Sequence, residues 1–276
     1  MNEWQTFFTL LAIFAIVQAI GIYCGYQYLG LIQSGEIEGP FENPDNAANS
    51  IILFAYILIT TFIIILIIKF RKSFLRIFEA MAVFFASWIA FDFLIPYGLI
   101  GYLIPWGIML AVVLTAWKML KPTLLSQNIA LIFSVSGAGA IIGGSLGVFP
   151  VIIFLLILSV YDFISVFITK HMVYMAKAIT ETPMAFTAAV PMKTEKVDHV
   201  FQLGGGDLVM PLILSVSVLG RLGLYHALVT SLGAFIALAL LFSYVIRKPG
   251  EALPALPPLS AGACLGLVCS VLVFGG

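Results

Sequence analysis

Long apolar segments alternate with short polar ones along the whole chain. We predict nine membrane-spanning helices, because the apolar runs are about twenty residues long, the length a helix needs to cross the hydrocarbon core. The segments lie near residues 5–29, 50–68, 77–95, 101–117, 123–142, 151–169, 207–222, 226–246 and 256–274. The connecting loops are short except for 30–49 and 170–203. This pattern predicts an all-α membrane protein, without the alternation typical of a membrane barrel.

The composition agrees with this pattern. Of 276 residues, 62% are hydrophobic and 9% are charged, and the mean hydropathy is +1.14. A soluble domain carries roughly 25% charged residues, so we expect one polytopic membrane domain over residues 1–276. The formal net charge is zero, and no nucleic-acid partner is expected. The three cysteines, Cys24, Cys264 and Cys269, lie in apolar stretches and are expected to act as small hydrophobic residues.

The distribution of basic residues predicts a cytoplasmic N-terminus and a C-terminus outside. With nine spans in that orientation, Arg221 is the single basic residue that falls outside. The basic residues that fall inside are Lys69, Arg71, Lys72, Arg76, Lys118, Lys121, Lys170, Lys177, Lys193, Lys196, Arg247 and Lys248. The loop at 30–49 is acidic, has no Lys or Arg and falls outside. Because the first segment is long and follows Glu3 instead of a basic residue, we do not expect a cleaved signal peptide.

Three acids fall well within the predicted spans: Asp92, Asp162 and Asp207. An ionisable group at such depth costs a few kcal/mol and is by default a functional-site hypothesis. Segment six runs towards the cytoplasm and segment seven returns, so Asp162 and Asp207 are expected at matched depth on the cytoplasmic side. Asp92 lies near the outer side and is predicted to be an interfacial or packing residue instead of a catalytic one.

Two neighbouring carboxylates have a well-defined chemistry. They cannot both ionise, so they share one proton. The ionised acid can take a proton from water while the other gives one to a carbonyl oxygen and then to a leaving amine, which requires no metal and no other cofactor. Taken singly, Asp207 also fits a helix N-cap, and Asp162 fits a hydrogen-bonded structural acid.

The surroundings of the two acids favour an accessible cleft. Ser159 and Ser165 share the helix face of Asp162, and the glycines at 204–206 let the backbone near Asp207 approach a partner or substrate. Small residues at four-residue spacing in GAGAIIGGSLG (137–147) and GACLG (262–266) predict close helix packing.

Three short motifs resemble the signatures of the presenilin and signal peptide peptidase family. They are Tyr161-Asp162 in segment six (YD), Gly204-Gly205-Gly206-Asp207 opening segment seven (GxGD) and Pro254-Ala255-Leu256 opening segment nine (PAL). The first motif belongs to helices one to six (1–169) and the others to helices seven to nine (204–276), separated by a cytoplasmic loop (170–203). The resemblance covers nearly the whole chain. It implies a presenilin-like fold and an intramembrane aspartyl protease of a microbial presenilin type, located in the cell membrane.

The resemblance also implies roles for these motifs. Asp162 and Asp207 would be the catalytic pair, supported by Tyr161, Gly204, Gly205 and Gly206, and Pro254, Ala255 and Leu256 would bind substrate. The partners implied are transmembrane-helix protein substrates and membrane lipid, with self-association allowed; no metal or cofactor is implied. Gly205 stands where many members carry a bulkier residue, so a different substrate preference is expected. The 170–203 loop has no long apolar insert, which argues against autocleavage.

The third motif lies in PGEALPALPPLSAG (249–262), which contains four prolines. Proline cannot donate a hydrogen bond and disfavours helix at the preceding residue, so we predict an extended stretch that pairs with an unwound substrate by strand addition. The alternative is a plain loop that starts segment nine.

Two other functions compete with proteolysis by the aspartates. A transporter could use Asp162 and Asp207 as proton or cation relays, but no inverted repeats are visible. The GGSLG stretch at 143–147 fits a serine-hydrolase motif with His226 on the same side, but Ser145 would end a transmembrane helix instead of a strand-to-helix turn. No H-E-x-x-H occurs, so a zinc metalloprotease is not expected.

Overall fold

The described part of the chain is a bundle of apolar helices with a β-hairpin. The structure is a computed structural model that describes residues 3–70, 72–95, 105–168, 187–193, 198–247 and 254–275. The helices within these ranges are α1 (Glu3–Gln33), α2 (Ala48–Phe70), α3 (Lys72–Leu94), α4 (Trp106–Leu120), α5 (Leu124–Ser145), α6 (Val148–Phe163), α7 (Gly205–Leu222), α8 (Leu224–Arg247) and α9 (Leu256–Phe274). A π-helical turn, Ile164–Ile168, continues α6. The antiparallel strands are β1 (Thr187–Lys193) and β2 (Asp198–Gly204).

The helical membrane architecture predicted from hydropathy is confirmed in its coarse form. Every predicted segment overlaps a helix of the described residues, although 101–104, in predicted segment four, lie outside them. Within the described ranges, seven helices are long and apolar enough to cross a membrane: α1, α3, α5, α6 with its π turn, α7, α8 and α9. The shorter apolar helices, Ala48–Ile64 and Trp106–Leu120, lie in α2 and α4. The count of nine spans and the orientation therefore stay predictions.

Helix α7 is the most enclosed part of the bundle. Its residues 211–219 are all buried, and Leu208, Leu212 and Leu214 are fully shielded. It packs against α1, α5, α6, α8 and α9. A helix that is buried on every side belongs to a core, so the first turn of α7, which carries Asp207, starts from a rigid element.

Glycines let the neighbouring helices approach closely. A Cβ at Gly21 of α1 would lie 2.3 Å from the side chain of Leu212, and one at Gly143 of α5 would lie 2.7 Å from a backbone oxygen of α7. Helices α8 and α9 meet in the same way, since a Cβ at Gly262 would lie 2.6 Å from the carbonyl oxygen of Gly233. These contacts confirm the packing role predicted from the small-residue spacing, and Gly21 adds a position that the sequence analysis did not single out.

At the other end of α7 from Asp207, the acidic first loop is fastened to the bundle. Arg221, in the last turn of α7, forms an exposed ion pair with Asp45 of that loop. The backbone N–H of Gly147, at the start of α6, donates to the carbonyl of Pro44 (2.9 Å). The one basic residue predicted to lie outside is thus paired with an acid from the loop predicted to lie on the same side.

Candidate active site

Asp162 lies in the last turn of α6 and is 5% exposed. The π turn Ile164–Ile168 follows it immediately. Single π turns inside helices are rare and frequent at functional sites, because they alter the direction of the helix and of its side chains. The Asp162 carboxylate accepts a hydrogen bond at its Oδ2 from the backbone N–H of Leu256 (3.3 Å).

The sequence at the start of α9 explains why that N–H is available. The first N–H groups of a helix have no partner within the helix. In α9 the N-cap is Ala255 and Leu256 is the first helical residue, while Pro257 and Pro258 have no N–H at all. The next donor, Leu259, bonds back to the carbonyl of Ala255 (3.3 Å). The paired prolines therefore lower the number of free N–H groups at the start of α9. The N–H of Leu256 is one that remains, and it donates to Asp162.

A second contact joins the same two helices one turn away. The hydroxyl of Ser159, three residues before Asp162, donates to that of Ser260 (3.1 Å), four residues after Leu256. Hydroxyl hydrogen bonds between helices contribute about 0.6 kcal/mol on average in membranes. Together the two bonds fix α9 against the end of α6 that carries Asp162.

Asp207 lies in the first turn of α7, where the N-cap is Gly204. The alternative that Asp207 is itself the N-cap is therefore wrong. Its carboxylate instead accepts a hydrogen bond from the backbone N–H of Gly204, and the charge of Asp162 acts on it. The end of α6 and the start of α7 therefore lie near each other, at one end of the bundle. Asp207 is half-buried, whereas Asp162 is buried.

The three glycines before Asp207 have different surroundings. A Cβ at Gly204 would lie 3.1 Å from Asp207 Oδ2, which is tighter than most side-chain contacts, whereas one at Gly206 would meet nothing within 4 Å. Gly205 is buried and Gly206 is exposed. None of the three has a positive φ, so none is required for left-handed backbone. Close approach to Asp207 accounts for glycine at position 204 but not at position 206.

The remaining motif residue of α6, Tyr161, points towards α2. Its ring meets that of Phe54 edge to face, with centroids 6.1 Å apart. Tyr161 is 38% exposed, so the side chain lies on a different face of α6 from the buried Asp162. Its described role is to hold α2 beside the helix that carries the acid.

The β-hairpin precedes Asp207 directly and was missed in the sequence, where 170–203 was predicted to be a loop. Thr187 of β1 pairs with Gly204, the N-cap of α7. The side-chain amide of Gln127, in α5, donates to the carbonyl of Thr187 (2.9 Å). Ala188 and Val190, two residues apart, are buried in the core. This alternation is the signal for a strand, but Pro191 inside the run obscures it, because proline is uncommon within strands.

The prediction of an extended stretch at 249–262 is wrong for the residues of it that are described, 254–262. Ala255 has helical dihedrals (φ −88°, ψ −30°), and Leu256, Pro257 and Pro258 already belong to α9. Proline in the first turn of a helix costs little, since the missing N–H would have no helical partner there. Residues 248–253 lie outside the described part of the chain. Ala255 and Leu256 pack against the apolar core.

The residues of the serine-hydrolase alternative, and the third acid predicted to lie within a span, have structural contacts. The buried hydroxyl of Ser145 donates to the carbonyl of Ile141 (2.6 Å) and lies 3.0 Å from the hydroxyl of Tyr28. His226 contacts the carbonyl of Gly275 through its Nε2 (2.9 Å). Asp92 packs so closely on α4 that a Cβ at Gly107 would overlap its carboxylate. These contacts support packing roles for Ser145 and Asp92.

The chain matches the family described as signal-peptide peptidase, presenilin aspartyl protease, over residues 11–276. Two structures of a presenilin family intramembrane aspartate protease share its fold. One, in space group C222, has a TM-score of 0.72 and 25% sequence identity, and the match covers 97% of this chain and 99% of that chain. The other, in space group P2, has a TM-score of 0.72 and 27% identity and covers 96% and 97%. No curated protein sequence matched.

The family match includes all three motifs, and the structural similarity extends over nearly the full length of both chains. Helices long and apolar enough to cross a membrane make it an integral membrane protein. The chain therefore belongs to the signal-peptide peptidase and presenilin family of aspartyl proteases.

Proposed function

We propose that Asp162 and Asp207 are the catalytic pair of this protein and hydrolyse peptide bonds within transmembrane segments of substrate proteins. The observation that carries the proposal is their arrangement. The two carboxyls lie near one end of α6 and α7, close enough for the charge of Asp162 to act on Asp207, and their hydrogen bonds come from the backbone N–H groups of Leu256 and Gly204. Among the described residues neither acid forms an ion pair with a lysine or arginine, and two such acids can hold a single proton between them, as acid–base hydrolysis requires.

Each acid has one task in each half of the reaction. The ionised carboxylate removes a proton from water, and the oxygen of that water attacks the scissile carbonyl carbon. The protonated carboxyl donates its proton to the carbonyl oxygen, which gives a tetrahedral gem-diol. When this intermediate collapses, the newly protonated carboxyl gives its proton to the amide nitrogen and the newly ionised carboxylate takes one from a gem-diol hydroxyl. The C–N bond breaks, and an amine and a carboxylic acid leave. The pair ends with one proton again, so a bell-shaped pH–rate profile is expected.

The motif residues support the pair in different ways. Leu256 holds Asp162 through its N–H, and Gly204 supplies the N–H beside Asp207. The open space at Gly206 gives a substrate backbone room beside Asp207. Tyr161 keeps α2 near the site through Phe54, and Pro254, Ala255 and Leu256 would meet substrate from the start of α9. The buried Gly205 remains the position where substrate preference is expected to differ.

The hairpin is a better site for strand addition by substrate than the stretch before α9. The start of β1 and the end of β2 lie next to Asp207 in the structure, whereas Ala255 and Leu256 are helical. A peptide bond inside a helix is shielded by its own hydrogen bonds, so a substrate must unwind before hydrolysis. An unwound segment would recover backbone hydrogen bonds by joining the edge of this two-stranded sheet.

The proposed topology has nine spans, a cytoplasmic N-terminus and an outer C-terminus. The pairing of Arg221 with Asp45 supports an even number of spans between the two residues, because it places both on the same side of the bundle, and the distribution of basic residues supports the orientation. Asp162 and Asp207, here called the dyad, then lie on the cytoplasmic side. The substrates would be transmembrane-helix proteins, and the compact length favours a microbial cell membrane as the location, with lipid around the bundle and self-association allowed.

The proposal is tested by incubating the purified protein with a transmembrane peptide and identifying the products by mass spectrometry. Cleavage within the apolar segment is expected. Asp162→Ala and Asp207→Ala should each lower kcat by at least about 10³-fold, because the general base and the general acid are separate roles. Asp92→Asn should cleave at close to the wild-type rate, since Asp92 packs on α4.

Other outcomes would contradict the proposal. Substantial turnover by either alanine variant would remove its aspartate from the mechanism. Loss of activity with EDTA and recovery with zinc would contradict a metal-free reaction. A wild-type protein that carries protons across vesicle membranes but never cleaves would support the transporter instead.

Hydroxyl-bearing isosteres of the peptide bond should inhibit cleavage, because they resemble the tetrahedral intermediate.

A further inference from the structure

A buried amide in α1 contacts the first turn of α7. Gln18 is 3% exposed and lies within the first helix, far along the chain from all three motifs. Its side-chain Nε2 donates to the backbone carbonyl of Leu208 (3.1 Å), the residue that follows Asp207. Polar side chains in the membrane interior are costly and rare, and they generally have a functional reason.

The backbone of α7 has one fewer hydrogen bond at this point. In an α-helix the carbonyl of residue i accepts from the N–H of residue i+4. For Asp207 that residue is Pro211, which lies inside the helix and has no N–H. The turn that carries Asp207 is therefore less constrained by its own helix than the turns that follow. Gln18 supplies a donor to the adjacent carbonyl, that of Leu208, from outside the helix.

A third helix also holds the amide. The hydroxyl of Ser231, in α8, donates to the Oε1 of Gln18 (3.3 Å). The carbonyl of Leu208 can only accept, so Nε2 must face it, and Oε1 is then left to accept from Ser231. Gln18 thus connects α1, α7 and α8 at the level of the residue after Asp207.

We propose that Gln18 is a positioning residue for Asp207. It holds the first turn of α7 at the place where Pro211 removes a backbone hydrogen bond, and so maintains the alignment of the Asp207 carboxyl with Asp162. The inference rests on the proposed function, in which Asp207 takes part in the reaction. A shift of about 1 Å in a catalytic group can cost on the order of 10²-fold in rate.

The test is a steady-state comparison of wild type with Gln18→Met, which keeps the length and apolar packing of the side chain but removes the amide. We expect kcat to fall by about 10-fold to 100-fold, while KM changes by less than about twofold, since the hydrogen bonds described for Gln18 go to Leu208 and Ser231 and not to the proposed substrate-binding residues. The two limbs of the pH–rate profile should also change their separation, because the interaction between Asp162 and Asp207 depends on their spacing. Packing alone would alter neither the KM–kcat relation nor the profile.

Ser136→Ala is the matched control. The hydroxyl of Ser136, in α5, donates to the carbonyl of Val17 (3.2 Å), the neighbour of Gln18 in the same helix, and both residues are buried. This variant also removes an interhelical hydrogen bond of α1, but not one to α7. It should keep the wild-type kcat and pH profile while losing a similar amount of thermal stability.

Ser231→Ala provides a second measurement that does not depend on the folding of Gln18→Met. It leaves the donor to Leu208 but removes the hydrogen bond that holds the amide from α8, so kcat should fall by about threefold. A wild-type kcat in folded Gln18→Met, or in Ser231→Ala if Gln18→Met does not fold, would overturn the inference, as would an equal loss in Ser136→Ala. In each case a wild-type protein that cleaves and an Asp207→Ala variant that does not would leave the proposed function standing.

Discussion

Buried acids occur in two regions of this protein, and their surroundings differ. Glu79 of α3 forms an ion pair with Lys118 of α4, and the two side chains are 4% and 5% exposed. Asp162 and Asp207 instead accept hydrogen bonds from backbone N–H groups and interact with each other. In the part of the chain that is described, neither aspartate forms an ion pair with a lysine or arginine.

The difference separates a structural acid from one that can exchange a proton. A carboxylate beside a buried ammonium group is held in its charged form, because protonation would leave the cation without its partner. Two carboxyls without a cation favour a shared proton. Removing a group from the first region should therefore cost stability, whereas removing one from the second should cost catalysis.

The largest effect on stability is expected for Glu79→Gln. It removes the carboxylate that is paired with Lys118, and breaking a buried ion pair costs about 3–5 kcal/mol of unfolding free energy. The folded fraction should keep kcat within about twofold of wild type, since the ion pair joins α3 to α4, whereas Asp162 and Asp207 lie on α6 and α7. Thermal unfolding and single-temperature kinetics measure the two quantities. Glu79→Leu combined with Lys118→Met should recover most of the loss, because an apolar pair of similar volume replaces the ion pair without leaving a charge.

The opposite result is expected for Asp162 and Asp207. Asp162→Ala and Asp207→Ala should retain a wild-type melting temperature while catalysis is lost. A Glu79→Gln variant that melts like wild type but no longer cleaves would break the comparison, because it would place Glu79 with the functional acids.

A smaller effect is expected where the hairpin is anchored. Gln127→Ala removes the donor to the carbonyl of Thr187, which is paired with Gly204 at the start of α7. If the hairpin receives substrate, kcat/KM should fall by about tenfold, mainly through KM, with little change in melting temperature. Gln27→Ala is the matched control, since its amide donates to the exposed hydroxyl of Tyr23 within α1. Equal kinetics for the two variants would mean that the anchor has no part in binding.

The smallest effect is expected for Ser159→Ala. It removes the hydroxyl bond to Ser260 but leaves the bond from Leu256 to Asp162. The expected cost is about 0.6 kcal/mol in unfolding free energy, with a rate loss of threefold or less. Ser243→Ala, which loses a hydroxyl bond to Ala239 within α8, should show no loss of rate. A loss as large as that of Asp162→Ala would mean that Ser159 itself takes part in the reaction.

Much of the fold was predictable because the membrane restricts the sequence strongly. A helix must supply about twenty apolar residues to span the hydrocarbon core, so the segments were readable and overlap the helices. Segment nine was predicted at 256–274, and α9 is Leu256–Phe274. The cost of an acid in that environment singled out Asp162 and Asp207 without any knowledge of their contacts. Glu79 was not among the three acids predicted to lie within spans, because the predicted segment began at residue 77 and Glu79 lay at its edge. The helix itself begins earlier, at Lys72.

Other features depend on contacts between residues far apart in the chain, which a local pattern does not contain. The hairpin depends on pairing Thr187 with Gly204 and on the Gln127 amide. The start of α9 is helical because a first turn tolerates Pro257 and Pro258, although proline-rich sequence favours extended chain. The contact of Gln18 with Leu208 spans 190 positions. The sequence by itself determined the apolar helices and the two acids, because hydrophobic length and the cost of buried charge act on each segment separately. The tertiary structure decided the partners of those acids, because a hydrogen bond depends on the positions of both groups.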